Sequence, residues 1–179
     1  DFAGYEYNYA LSLHAEHQTK QALRMLQQGL SKNEFDSQLL LLASQLSYEL
    51  HDKKAAENYL LKVLETAEDD EEALMRLSNL YLEENRFEDV INLDRADIDS
   101  VLTKWNIAKA YQKLEADTKA LEIYDTLIVD LADNPDFLKD YIYILRKFGY
   151  DEKVKTFADQ YLQLVPDDND IADLREQLQ

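Results

Sequence analysis

Three histidines are the residues of this sequence that could bind a transition metal through imidazole nitrogens. His14 and His17 are three residues apart, which places them on one face of a helix. The sequence numbers of His17, His51 and Asn85 increase in steps of 34. Because His and Asn both tolerate positive φ, this regular spacing favours tight turns over a metal site.

Acidic runs could bind calcium through their carboxylates. Glu68–Glu72 and Asp167–Asp170 lack both the Asp-x-Asp-x-Asp-Gly order of a calcium loop and its later bidentate Glu. Each run precedes an amphipathic segment, so we interpret its carboxylates as caps of a helix N-terminus. Asp94, Asp97 and Asp99 are a better metal candidate, but here too a structural role is favoured.

Catalytic motifs are missing from the sequence. It contains no Cys, no glycine-rich phosphate loop, no Gly-x-Ser-x-Gly elbow and no His-Glu-x-x-His. Pairs of carboxylates are uninformative, because 37 residues are Asp or Glu. We therefore expect a non-enzymatic protein that uses no metal and no cofactor.

Composition excludes further classes of function. The 179 residues carry 19 Lys and Arg against 37 acids, a net charge of −18, which opposes binding to nucleic acids and anionic lipids. Apolar residues make up 46 %, with only 3 Gly and 2 Pro, so we expect helices joined by short loops. No apolar run approaches the ~20 residues that span a bilayer. The sequence starts at Asp1 without Met, and we expect it to be a piece of a larger protein.

A repeat organises the sequence around five anchor positions, which are Ala22, Ala56, Val90, Ala120 and Val154. Their sequence numbers increase in steps of 34, 34, 30 and 34. A large aliphatic residue follows each anchor by eight positions, and four of the five residues twelve positions before the anchors are small. Each repeat is therefore predicted to be two amphipathic helices joined by a short turn, with small residues where the helices approach closely.

The segment Glu72–Ile91 resembles the tetratricopeptide repeat, a family whose period is about 34 residues. Pro166, twelve residues after Val154, stands where that family commonly ends a repeat. The resemblance covers residues 3–166 and implies an all-α, right-handed superhelical solenoid of antiparallel helix pairs in a single domain, 1–179. The expected repeats are 3–36, 37–70, 71–100, 101–134 and 135–168, followed by a capping helix, 169–179. The sequence also looks like acidic cytoplasmic repeat proteins of low-GC Gram-positive bacteria, which implies a cytoplasmic location.

The third repeat departs from the pattern because it is four residues short, about one helical turn. Asp94 and Asp97 occupy positions that earlier repeats fill with Leu, Val or Gly. Since Asp is unsuited to a packed position, we predict that the second helix ends near Leu93. The segment Asp94–Ser100 is then an irregular connector.

The resemblance implies that the first helices line a concave groove that binds a partner. In the last two repeats this surface combines cations with aromatic residues, although an ordinary solvated face is the alternative interpretation. Asn side chains at such positions hold the backbone of an extended ligand in peptide-binding members. The candidate partner-binding residues are Asn79, Trp105, Asn106, Lys109, Lys113, Lys139, Tyr143 and Arg146. Asp136 and Asp140 argue against a carboxylate clamp for chaperone tails.

The predicted function is a protein-interaction scaffold that binds an acidic partner peptide or helix in its groove. One alternative is a structural module that self-associates as a homo-oligomer, with Tyr7, Leu11 and Leu41 seating a neighbour's helix. The other is a regulatory sensor that binds a signalling peptide. All three exclude nucleic-acid and membrane partners.

Overall fold

The structure is a computed structural model that describes residues 4–94 and 98–178. These residues form helices and turns, with no β-strand among them. The helices are α1 (Tyr5–Ala15), α2 (Thr19–Leu30), α3 (Ser37–Glu49), α4 (Lys53–Thr66), α5 (Glu71–Glu83), α6 (Phe87–Ile91), α7 (Val101–Lys113), α8 (Asp117–Leu131), α9 (Pro135–Lys147), α10 (Asp151–Leu164) and α11 (Asn169–Glu176). None of these described helices is long and apolar enough to cross a membrane.

The predicted helix pairs α1/α2, α3/α4, α5/α6 and α9/α10 pack against each other. In the fourth pair, Tyr124 of α8 donates a hydrogen bond to Gln112 of α7. The chain forms two compact units, Asp1–Thr103 and Lys104–Gln179, and each is described by itself. The all-helical architecture confirms the predicted fold class. The single-domain organisation stays a prediction.

The turn inside each helix pair contains one residue with a left-handed backbone, five residues before the anchor. The φ angles are 61° at His17, 63° at His51, 57° at Asn85, 59° at Glu115 and 72° at Gly149. In the first turn the backbone N–H of Gln18 then donates to the carbonyl of Leu13, which closes the end of α1. The interpretation of His17 and His51 as turn residues is confirmed.

Glu115 is the least suitable of these five residues for its backbone conformation, because it has no short polar side chain to support a left-handed φ. We expect Glu115→Gly to raise the free energy of unfolding by about 0.5–1 kcal/mol, since relief of strain exceeds the entropy cost of glycine. Glu122→Gly, on the exposed side of α8, should instead lower it by about 1 kcal/mol. Urea unfolding of both variants checks the prediction, and a loss of stability in Glu115→Gly would contradict it.

The acidic runs cap helices, as predicted. Asp70 Oδ1 accepts a hydrogen bond from the Ala73 N–H at 2.8 Å, and Asp168 Oδ1 accepts one from the Ile171 N–H at 3.3 Å. Among the described residues, no group of three or more His, Asp or Glu side chains is arranged to hold a metal ion. Asp97, part of the third acidic candidate, lies outside the described residues.

The second helix of the third repeat is only five residues long and ends at Ile91, two residues before the predicted end. Leu93 and Ile98 are buried, whereas Asp94 is exposed. The segment around them is not helical at the residues that the structure describes, 94 and 98–100. The shortened helix is tied to α4 through Arg86, which donates two hydrogen bonds to Glu57 at 2.8 and 2.9 Å.

Each compact unit has its own core. In the first unit, aliphatic residues of α1–α3 pack together. Helix α2 lies so close to α3 that a Cβ on Gly29 would be 2.7 Å from Leu39 Cδ1. The core of the second unit is aromatic. Its ring-to-ring contacts join Trp105, Tyr124, Phe137, Tyr141 and Phe157 at centroid distances of 4.9–6.2 Å.

Candidate functional site

Seven of the eight predicted partner-binding residues lie in the second compact unit, on α7 and α9. Trp105, Asn106, Lys109 and Lys113 are on α7, and Lys139, Tyr143 and Arg146 are on α9. Asn79 is exposed on α5, in the first compact unit. The surface formed by Lys109, Lys113, Lys139, Tyr143 and Arg146 is named the α7–α9 face below.

Trp105 lies beneath this face, with only 9 % of its surface exposed. Its Nε1–H donates to Asp140 Oδ2 on α9 at 3.0 Å, and its ring meets the Phe137 ring edge-on at 5.7 Å. Lys109 Nζ lies 3.8 Å from the centroid of the Trp105 ring, a cation–π contact. Trp105 therefore acts as a platform that fixes Lys109, and it is not an exposed contact for a partner.

Lys109 and Asp140 carry opposite charges, and both are partly buried in contact with Trp105. Burial raises the pKa of the Asp140 carboxyl, while Lys109 and the Trp105 hydrogen bond act in the opposite direction. Burial lowers the pKa of the Lys109 ammonium, and Asp140 and Asp136 oppose that shift. Each charge thus reduces the cost of burying the other.

Tyr124 links α8 to the inner side of the same face. Its side chain is fully buried, and its hydroxyl donates to Gln112 Oε1 at 2.7 Å. Burial, with a smaller contribution from the Asp140 charge, raises the pKa of this hydroxyl. The phenol therefore remains a neutral hydrogen-bond donor that holds Gln112 of α7 in place.

The α9 cations have carboxylate partners at the surface. Lys139 Nζ lies 2.7 Å from Asp168 Oδ2, and together with the Tyr161 hydroxyl it holds the pKa of Asp168 at about 2. Arg146 Nη1 lies 2.9 Å from Asp151 Oδ1. Both pairs are partly exposed, so water and dissolved salt weaken them.

The two asparagines differ in exposure. Asn106 is 4 % exposed, so its side chain lies within the second unit, whereas Asn79 is at the surface of the first. Tyr143, 44 % exposed, is the accessible aromatic residue of the α7–α9 face. A role for Asn79 and Asn106 in holding a ligand stays a prediction.

The sequence analysis did not predict that Asp140 accepts a hydrogen bond from Trp105. It considered Asp140 only as a residue that argues against a carboxylate clamp. Its sequence number is 35 higher than that of Trp105, which is one repeat period plus one position. That offset puts an indole donor and a carboxylate on neighbouring first helices, and it was the available signal.

Comparison with known proteins agrees with this architecture. The family model described as YpiA-like, C-terminal tetratricopeptide repeats matches residues 102–168. The TPR repeat-containing protein YpiA of Bacillus subtilis (strain 168) is 22 % identical over 157 residues, which cover 86 % of this chain and 37 % of that protein. The chain thus spans little more than a third of the length of this curated relative.

Solved structures share the fold. The crystal structure of YrrB, titled a TPR protein with an unusual peptide-binding site, has a TM-score of 0.70 at 12 % identity, covering 96 % of this chain and 90 % of that one. MamA from Desulfovibrio magneticus RS-1 has a TM-score of 0.72 at 16 % identity, covering 93 % and 94 %. This chain resembles tetratricopeptide-repeat proteins in its fold, and its residues 102–168 match a tetratricopeptide-repeat family model. Folds of the tetratricopeptide-repeat type typically mediate protein–protein interaction and are generally non-catalytic.

Proposed function

We propose that this chain is a non-catalytic scaffold whose α7–α9 face binds an acidic segment of a partner protein. The observation that carries the proposal is the concentration of cations on this face of a chain whose net charge is −18. The partner segment combines carboxylates with an aromatic or aliphatic side chain that packs on Tyr143. The same proposal places the protein in the cytoplasm, without nucleic-acid or membrane partners.

The electrostatic argument depends on the local balance of charge. Over most of this chain an acidic segment is repelled, because acids outnumber Lys and Arg by 37 to 19. The α7–α9 face carries four cations, and two of them, Lys139 and Arg146, form partly exposed ion pairs. A ligand carboxylate can take the place of Asp168 or Asp151 at such a pair, and Lys113 is exposed for a further contact.

Binding can be measured directly, because Trp105 is the only tryptophan of the sequence and lies under the face. Peptides that bind the chain are selected from a displayed library of random sequences. Each recovered peptide is then titrated into the chain while Trp105 fluorescence emission is followed. We expect the recovered peptides to be rich in Asp and Glu. Affinity should fall with rising salt, and by at least ~10-fold in the variant Lys113→Glu/Arg146→Glu.

The matched control is Lys20→Glu/Arg24→Glu, which makes the same change of charge at two exposed residues of α2 in the first unit. It should leave the peptide affinity within about 2-fold, since exposed charges outside the face are screened by salt. Equal losses in both variants would show that net charge, and not this face, governs binding. Peptides without acidic residues, bound equally by both variants, would contradict the proposal.

A further inference from the structure

In three first helices, α3, α5 and α9, two positions belong to the contact with the preceding helix pair. They lie seventeen and thirteen positions before the anchor. In α3, α5 and α9, where the preceding second helix packs on the first helix, none of the residues at these positions is more than 7 % exposed. These residues are Leu39 and Ala43, Ala73 and Leu77, and Phe137 and Tyr141.

The equivalent positions of α1 are exposed and aromatic. Tyr5 is 57 % and Tyr9 42 % exposed, and their rings stack at a centroid distance of 5.7 Å with 14° between the planes. Asn8 and Ser12, also exposed on this helix, are uncharged. These four exposed residues are therefore uncharged and two of them are aromatic, in a chain in which 31 % of the residues are charged.

The second compact unit shows how such an aromatic pair is covered. Phe137 and Tyr141 of α9 stand at the same two positions and stack at 6.0 Å, yet they are 0 % and 1 % exposed. Tyr124 of α8, the preceding second helix, packs on them at centroid distances of 5.6 and 6.2 Å. The Tyr141 hydroxyl donates to the carboxylate of Asp125, the next residue of α8.

We propose that Tyr5 and Tyr9 dock the second helix of a further helix pair that precedes α1 in the same polypeptide. By analogy with Tyr124 and Asp125, this helix carries an aromatic residue that packs on the two tyrosine rings. The following residue is a carboxylate that accepts the hydrogen bond of the Tyr9 hydroxyl.

The packing of the other second helices favours this occupant over a second copy of the chain. Among the described residues, α2, α4, α8 and α10 are already covered by α3, α5, α9 and α11. At the last of these contacts Ile171 of α11 stands at the position equivalent to Tyr5 and is 0 % exposed. A second copy therefore has no face of these four helices to offer. A helix on the same chain, joined by a short connector, is also at high effective concentration.

Cysteine labelling tests the proposal, because residues 1–179 contain no cysteine. Tyr9→Cys is made in the chain 1–179 and in the polypeptide extended to its natural N-terminus, with any cysteine of the extension replaced by serine. The rate of reaction with 5,5′-dithiobis(2-nitrobenzoate) is measured for each. Val129→Cys is the matched control, since Val129 is 84 % exposed on α8.

We expect Tyr9→Cys to react at least ~10-fold more slowly in the extended polypeptide than in the chain 1–179, because reaction then requires local opening. Val129→Cys should react equally in both. Tyr5→Cys repeats the measurement in case the first substitution loosens α1, which circular dichroism would reveal. Equal rates for both tyrosine positions in the two polypeptides would overturn the proposal, as would an extension without a helix pair. Protection in the chain 1–179 that grows with protein concentration would assign the surface to a second copy instead.

Discussion

Phe137→Ala is expected to lower the free energy of unfolding of the second compact unit by about 3–5 kcal/mol. Phe137 is fully buried, and its ring contacts three other aromatic side chains, those of Trp105, Tyr124 and Tyr141. Removing the ring takes away these contacts and leaves a cavity between α7, α8 and α9. The loss of stability is large because the neighbouring aromatic rings are rigid and already packed, so they cannot move to fill the cavity.

Urea unfolding followed by Trp105 emission measures this effect, since Trp105 is edge-on to Phe137 and is the only tryptophan. The control is Val129→Ala, at an exposed residue of α8, which should change the free energy of unfolding by no more than about 0.5 kcal/mol. A Phe137→Ala variant that unfolds at the urea concentration of the wild type would contradict the packing of the aromatic core.

The repeat and its turns could be predicted from the sequence because they depend on local features. A constant distance of five residues before each anchor identified one shared position, and backbone sterics gave that position its left-handed conformation. It holds His17, His51, Asn85, Glu115 and Gly149. The caps are local in the same way, since a carboxylate reaches an N–H two or three residues further along the chain. No knowledge of the tertiary structure is needed for either prediction.

The orientation of Trp105 could not be predicted, because its partners come from another helix pair. The family pattern suggested a groove residue at this position. Asp140 and Phe137, on the first helix of the next repeat, give the indole a hydrogen-bond acceptor and an aromatic neighbour on its buried side. Lys109 then covers the outer surface of the ring. Side-chain orientation depends on such distant contacts, and helical periodicity contains no information about them.

The third repeat combines a feature that the sequence predicted with a contact that it did not predict. The missing four residues and the Asp at a leucine position predicted a short second helix, and α6 ends at Ile91. The sequence did not indicate how so short a helix is fixed to the rest of the unit. The fixing residue is Arg86, at a position that other repeats fill with Gln18, Asp52, Ala116 and Tyr150. A contact made in one repeat only leaves no periodic signal.

Arg86→Ala is expected to lower the free energy of unfolding of the first compact unit by about 2 kcal/mol at pH 7. The guanidinium donates two hydrogen bonds to Glu57, and its Nε–H donates to Asp89 Oδ2 at 2.6 Å. It also lies 4.2 Å from the centroid of the Tyr81 ring, whose hydroxyl donates to Glu57 Oε1 at 3.0 Å. The expected loss is moderate because the Arg86 side chain is 35 % exposed, which weakens its charge interactions.

The pH dependence distinguishes this network from simple packing. Arg86, and to a lesser degree Tyr81, holds the pKa of Glu57 below its usual value. The stabilisation from the charged pair is therefore complete above the unfolded pKa of about 4.3 and is lost as pH falls through the lower folded pKa. The stability difference between wild type and Arg86→Ala should be largest at pH 7 and narrow below about pH 4. Arg24→Ala, at an exposed residue of α2, should have little effect at either pH. A difference for Arg86→Ala that stays constant down to pH 3 would show that Arg86 acts through its contact with the Tyr81 ring and not through Glu57.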